Sequence, residues 1–145
     1  MLNYGPDTDD EDVGAQIRRL WQVKEAEAEL PFVQRILSEI RYLVKQSNEM
    51  QMHIGLDERI SQRVTALRNR GIEIKDLATG LVDFYAVRKG ELVYLCWKEG
   101  ESGIHWWHPV TGGFGTRQKL TVEERSGALN QALGRKGLDQ LPGYS

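Results

Sequence analysis

Four side chains that could carry acid–base or nucleophilic chemistry lie in one stretch of the chain. Asp83, Glu101 and His108 are residue types that enzymes use to move protons, and Cys96 stands between them as a potential nucleophile. Such a set would suit a small hydrolase. Each residue also has an ordinary structural explanation, because a Cys on a sheet face usually packs as a small apolar group. The elements that position these residues therefore decide between the two interpretations.

Three strands are predicted around these residues. The stretches from Leu81 to Arg88 and from Glu91 to Trp97 flank Lys89-Gly90, a short glycine-containing turn typical of a β-hairpin. A turn over Glu99 to Gly103 leads to a third strand from Ile104 to His108, which Pro109 ends. The pattern predicts a three-stranded antiparallel meander.

The turn lengths also predict the register. A two-residue loop places Arg88 opposite Glu91 and Asp83 opposite Cys96, and a five-residue loop places Tyr94 opposite His108 and Cys96 opposite Trp106. One face is then wholly apolar: Val82, Phe84, Ala86, Val93, Leu95 and Trp97. The other face is mixed and carries the candidate site: Asp83, Tyr94, Cys96 and His108. The middle strand separates Asp83 from His108, so the register alone leaves their contact open.

Two helices precede the strands. From Pro31 to about Met52, apolar residues recur at helical spacing, namely Val33, Ile36, Leu37, Ile40, Leu43 and Val44. Pro31 either starts this helix or kinks one that begins in the preceding run of helix formers. Asp57 is the predicted N-cap of a second helix, which Gly71 ends. The short link predicts an antiparallel helical hairpin, packed on the apolar face of the sheet in an α+β fold.

The chain is predicted to form a single α+β domain over residues 15–133. An acidic, disordered tail is expected over 1–14 and a frayed tail over 134–145, and a capping box at Thr121 and Glu124 opens a last helix to about Leu133. The net charge is −2 and the sequence pI near 5.9, which disfavours nucleic-acid binding. The sequence contains no run of 18 apolar residues, so no membrane span is predicted. A single Cys fits a reducing cytoplasm.

Neither a metal nor a cofactor is expected. His105 and His108, with Cys96 and Glu101 nearby, resemble a zinc ligand set, but residues i and i+3 of a strand point to opposite faces. The glycine-rich run from Gly112 to Gly115 lacks the Lys and the following helix of a phosphate-binding loop, so a tight turn is the preferred interpretation.

Six residues are candidates for binding: Lys75, Asp76, Tyr94, Cys96, Trp106 and Arg117. Lys75-Asp76 is most simply an ion pair or turn anchor, whereas Trp106 or Tyr94 is expected to be the more exposed aromatic residue. Arg117 is expected to reach Glu101, because the glycines after Pro109 allow the chain to reverse.

The motifs of this region resemble a known family. Gly80-Leu81-Val82-Asp83-Phe84, Leu95-Cys96-Trp97, Gly100-Glu101, Trp107-His108, Gly113-Phe114 and Arg117-Gln118 are similar to the signature of the domain of unknown function 2203. The resemblance implies kinship with small bacterial and archaeal proteins and a shared fold, and it implies no activity. We therefore expect a non-catalytic cytoplasmic binding or interaction module, whose partner is another protein, a small-molecule ligand or a second copy of the chain in a homodimer. The alternative is the hydrolase-like enzyme. RNA binding through Tyr94, Trp106 and Arg117 is disfavoured by the acidic pI.

Overall fold

A computed structural model describes residues 19–50 and 55–131. Three α-helices run over Val23–Met50 (α1), Leu56–Arg68 (α2) and Val122–Arg125 (α3). Five strands run over Ile72–Asp76 (β1), Leu81–Arg88 (β2), Glu91–Lys98 (β3), Trp106–Pro109 (β4) and Gln118–Lys119 (β5), with a 3-10 turn at Phe114–Thr116. The predicted tails, 1–14 and 134–145, lie outside the described residues.

All five strands form one antiparallel sheet in the order β1-β2-β3-β4-β5. The α+β class is confirmed, but the prediction of three strands is wrong. β1 and β5 were missed because each is short and partly charged, so its pairing depends on a neighbour distant in sequence. The three predicted strands are the central three of the sheet.

The predicted register is confirmed. Arg88 pairs with Glu91 and Asp83 with Cys96 across β2 and β3. Tyr94 pairs with His108 and Cys96 with Trp106 across β3 and β4. Lys89 (φ 52°) and Gly90 (φ 78°) both adopt the left-handed conformation that a tight hairpin turn requires.

The apolar face of the sheet packs against α1, as predicted. The main core joins buried residues of the helix, such as Val33, Leu37 and Ile40, to Phe84, Leu95 and other residues of that face. The opposite, mixed face is buried as well. There Tyr85, Val87, Leu92 and Tyr94 form a second cluster, with Leu20 and Val110 against it. The mixed face is therefore a second core rather than an open surface.

The structure decides between the two alternatives at Pro31 and moves the predicted start of the second helix. Helix α1 passes through Pro31 without ending, because Ala26 and Leu30 before it and Val33 after it are buried in the same core. That burial outweighs the cost of an interior Pro, about 3 kcal/mol. The N-cap of α2 is Gly55 and no side chain caps it; Asp57 lies inside the first turn, where its charge favours the helix dipole.

The last helix is shorter than predicted. The capping box of Thr121 and Glu124 is confirmed, but α3 ends at Arg125 and not near Leu133. Helices α1 and α2 contact each other, and their antiparallel hairpin stays a prediction because the connecting residues 51–54 lie outside the described part. Among the described residues, no helix is long and apolar enough to cross a membrane.

Candidate functional site

A buried hydrogen bond joins two of the predicted catalytic residues. Nε2 of His108 lies 2.8 Å from Oδ2 of Asp83, and the two residues are 3% and 0% exposed. Adjacent strands lie about 4.8 Å apart, so β2 and β4 are separated by about twice that distance. The imidazole spans the gap because His108 and Asp83 point to the same face, where they cross above β3.

The second ring nitrogen of His108 is also engaged. Nδ1 lies 2.8 Å from the carbonyl oxygen of Pro109, which can only accept, so Nδ1 carries a hydrogen. Burial alone would lower the pKa of His108, but the hydrogen bond and the charge of Asp83 outweigh it and raise the pKa. Nδ1 thus carries one hydrogen, and a second lies in the bond between Nε2 and Oδ2 of Asp83.

Cys96 completes this cluster. It lies directly opposite Asp83 on β3 and is fully buried. One ligand-type atom each of Asp83, Cys96 and His108 lies within 4.8 Å of the others. Burial, followed by the negative charge of Asp83, raises the pKa of the Cys96 thiol to about 12. Because the thiolate is the nucleophile, Cys96 is unreactive in this state.

A second polar group crosses the same face of the sheet. The hydroxyl of Tyr85 donates to Glu73 at 2.6 Å, and the hydroxyl of Tyr94 lies 3.1 Å from that of Tyr85. Lys75 pairs with Glu73 at 3.0 Å and lies over the ring of Tyr94. Burial would raise the pKa of Glu73, but its bonds to Tyr85 and Lys75 outweigh burial and lower it.

This group decides which of the two aromatic candidates is the more exposed. Tyr94 is buried, because the face it shares with Tyr85 is a second core, whereas Trp106 is only partly buried. Glu73 and Tyr85 were missed because β1 was not predicted. The alternation of Ile72-Glu73-Ile74-Lys75 is the one signal that indicated this strand.

Glu101 forms a separate pair with Arg117, as expected. Nη2 of Arg117 donates to Oε1 of Glu101 at 2.9 Å, and the same oxygen accepts the Lys98 backbone N–H at 2.8 Å. Burial would raise the pKa of Glu101, but the bonds from Arg117 and Lys98 outweigh it and lower the pKa. The Glu101 carboxylate is thus bound by the Arg117 guanidinium and by the backbone N–H of Lys98, and it stands apart from the Asp83–His108 pair.

Arg117 belongs to a surface that we term the aromatic–cation patch: Lys98, Trp106, Phe114 and Arg117. The guanidinium lies 5.1 Å from the centre of the Trp106 ring and 4.6 Å from that of Phe114. The Lys98 ammonium lies 5.7 Å from the Phe114 ring. Phe114 is 45% exposed, so this patch presents an aromatic ring beside cations to solvent.

The structure also shows the contacts of the remaining binding candidates, Asp76 and Lys75. Asp76 anchors the β1–β2 turn by accepting the Ala78 N–H at 3.2 Å and the Thr79 hydroxyl at 2.9 Å, which confirms the turn-anchor interpretation. Lys75 pairs with Glu73 instead of Asp76. Of the predicted catalytic set, the structure unites Asp83, His108 and Cys96, while Glu101 is paired elsewhere.

The sequence matches a family model described as an uncharacterized conserved protein (DUF2203), over residues 47–120. That range is about half of the chain and includes β1 to β5, the buried cluster and the aromatic–cation patch. No curated protein and no solved structure matches the sequence.

Proposed function

Because the chain belongs to the DUF2203 family of uncharacterized conserved proteins, we propose that it is a non-catalytic interaction module that binds a partner protein in the cytoplasm. The family description supplies no activity, so the proposal depends on the site. One observation carries it. Asp83, Cys96 and His108 are closed off from solvent, whereas an aromatic ring, Phe114, is exposed beside the uncompensated Lys98 ammonium.

The buried cluster does not suit catalysis. A general base needs a free lone pair within reach of a substrate proton, and both ring nitrogens of His108 already have partners. A nucleophile must be accessible to the substrate and must have a lowered pKa. Cys96 is 0% exposed, and its pKa is raised. These contacts argue against the hydrolase-like alternative that uses Asp83, Glu101 and His108.

The aromatic–cation patch suits a protein partner. Phe114 offers apolar area at a small hollow lined also by Asp76, Thr79, Leu81 and Lys98. Lys98 has no ion-pair partner among residues 19–50 and 55–131, while Arg117 is already neutralised by Glu101. An exposed ring beside an uncompensated cation fits a partner segment with an apolar side chain next to an acidic one.

Photo-crosslinking in the host cell tests this assignment. A photoreactive phenylalanine analogue replaces Phe114 in the full chain, and matched controls carry it at Val122 and Tyr42, which are 75% and 61% exposed. We expect a discrete crosslinked product of larger mass at position 114 and not at the controls. Lys98→Glu in the same chain should reduce the yield.

Other outcomes would replace the proposal. A product of twice the chain mass would indicate the homodimer instead of a foreign partner. Equal products at all three positions, or none at position 114, would show that the patch is not the binding surface.

A further inference from the structure

We propose that Asp83, Cys96 and His108 bind one zinc ion. This site lies inside the sheet and is independent of the aromatic–cation patch, so it goes beyond the proposed interaction function. Its three residues come from three adjacent strands, β2, β3 and β4, and their ligand-type atoms lie within 4.8 Å of one another. Imidazole, thiolate and carboxylate are the ligands that zinc takes in proteins.

The orientation of His108 fits a metal ligand. Its Nδ1–H is held by the carbonyl oxygen of Pro109, which directs Nε2 toward Asp83 and the cluster. A second hydrogen bond of this kind, from the other ring nitrogen to a backbone carbonyl, is the usual way in which proteins orient a zinc-bound His. A neutral imidazole with this tautomer presents its lone pair to a carboxylate, so a positive particle must lie between them. That particle is either a proton or a metal ion.

Asp83 supplies the observation that favours an ion. Its Oδ1 is buried and accepts no hydrogen bond of ordinary geometry from the described residues, and the neighbouring Cys96 thiol is the only further donor that interacts with this carboxylate among them. A buried carboxylate oxygen without a partner is costly. With zinc bound, the ion lies against the Asp83 carboxylate, so Oδ1 is no longer without a partner. Asp83, Nε2 of His108 and Sγ of Cys96 are then three protein ligands, the number found at zinc sites that keep one open position.

The charges balance in both states. Without metal, the hydrogen between Nε2 of His108 and Oδ2 of Asp83 leaves that pair neutral overall, and the Cys96 thiol is neutral as well. With zinc, the ion's two positive charges offset the carboxylate and a Cys96 thiolate, and His108 is neutral. One zinc ion therefore replaces two protons, one from Nε2 and one from Sγ, which pass to solvent. The buried cluster stays neutral, so neither state leaves an uncompensated charge in the core.

The exchange requires a small adjustment. Zinc bonds of about 2.0–2.3 Å place tetrahedrally arranged ligand atoms roughly 3.3–3.6 Å apart. Nε2 and Oδ2 are 2.8 Å apart, which is a hydrogen-bond spacing, so they would move apart by about half an ångström when zinc replaces the proton.

Metal titration of the full chain tests the site. The purified protein is treated with a chelator, dialysed and titrated with Co²⁺ and then Zn²⁺ in a weakly buffered solution. We expect one ion per chain, a thiolate-to-cobalt absorption band that zinc abolishes, and release of two protons per zinc ion. Zinc should also raise the unfolding midpoint of the wild type.

Variants locate the ion. Asp83→Asn, Cys96→Ser and His108→Gln should each weaken zinc binding by about 100-fold or more, because each removes a donor. His105→Gln and Glu101→Gln are the matched controls, since each changes a nearby residue of the same type outside the cluster, and both should bind as the wild type does. The wild-type measurements stand even where a variant does not fold. Failure of the wild type to bind zinc, binding without proton release, or loss of binding in His105→Gln would overturn the site.

Discussion

Oδ2 of Asp83 and Nε2 of His108 lie 2.8 Å apart although strand β3 separates the strands that carry them. The bridge crosses β3 at Tyr94 and Cys96, the residues that pair with His108 and Asp83. β2 and β4 each pair with β3 through their backbones, and the bridge also joins them to each other through side chains. The mixed face of the sheet is thereby closed over Asp83, Cys96 and His108, which are all buried.

Leu95→Ala should destabilise the protein by about 2–5 kcal/mol, because Leu95 is fully buried between the sheet and α1. Chemical denaturation measures the change in the free energy of unfolding. Glu91→Ala on the same strand is the control and should change it by less than about 0.5 kcal/mol, since Glu91 is exposed. A wild-type midpoint for Leu95→Ala would contradict the assignment of the apolar face.

Gly71→Ala should destabilise the protein more than Gly90→Ala does. Both glycines have left-handed backbones, with φ of 80° and 78°, so both substitutions add strain of about 1 kcal/mol. A Cβ at Gly71 would also lie 2.7 Å from the Arg19 carbonyl oxygen and 3.2 Å from Nε1 of Trp21, whereas one at Gly90 meets nothing within 4 Å. Equal losses of thermal stability would show that the approach of Trp21 to Gly71 is looser than described.

Arg117→Ala should destabilise the protein by about 1–3 kcal/mol, because it leaves Glu101 without its charged partner and the two side chains are only 11% and 25% exposed. Lys45→Ala is the control for an exposed ion pair. Lys45 and Glu49 are 71% and 58% exposed, so losing their ion pair should lower the free energy of unfolding by less than about 0.5 kcal/mol. A double-mutant cycle with Glu101→Gln gives the coupling energy, and a value near zero would show that the pair contributes nothing.

The stabilising effect of Glu101 should disappear in acid. Because the folded state lowers its pKa below the ordinary value of 4.5, the contribution is present at neutral pH and above the unfolded pKa. It is lost as the pH falls through the folded pKa. The free energies of unfolding of the wild type and Glu101→Gln should therefore differ at pH 7 and converge as the pH falls below 4.5 and through the folded pKa. A difference in the free energy of unfolding that grows in acid would mean that folding raises the pKa of Glu101, and so would contradict this prediction.

The central sheet could be predicted because local rules determine it. The two-residue turn at Lys89-Gly90 and the five-residue turn after Lys98 set the register, and alternation then assigned the apolar face. The same register placed Asp83, Tyr94, Cys96 and His108 on one face. It did not establish that Asp83 and His108 touch, because that depends on how far side chains reach across β3.

The outer parts of the fold depend on contacts that local patterns do not contain. β1 exists because Ile72 and Ile74 pair with β2 and pack in the main core, and the Glu73–Tyr85 hydrogen bond follows from that pairing. The burial of Tyr94 depends on the same arrangement. Helix α1 continues through Pro31 because tertiary packing outweighs local propensity.

Alkylation of Cys96 tests the central claim, that this cluster is closed and does no covalent chemistry. Cys96 is the only cysteine, so the rate at which iodoacetamide modifies the chain reports this thiol alone. We expect the folded protein to react at least about 1000-fold more slowly than the denatured protein, because the buried, protonated thiol must await unfolding. Reaction of the folded protein at a rate close to that of the denatured chain would contradict the account and restore the nucleophilic alternative.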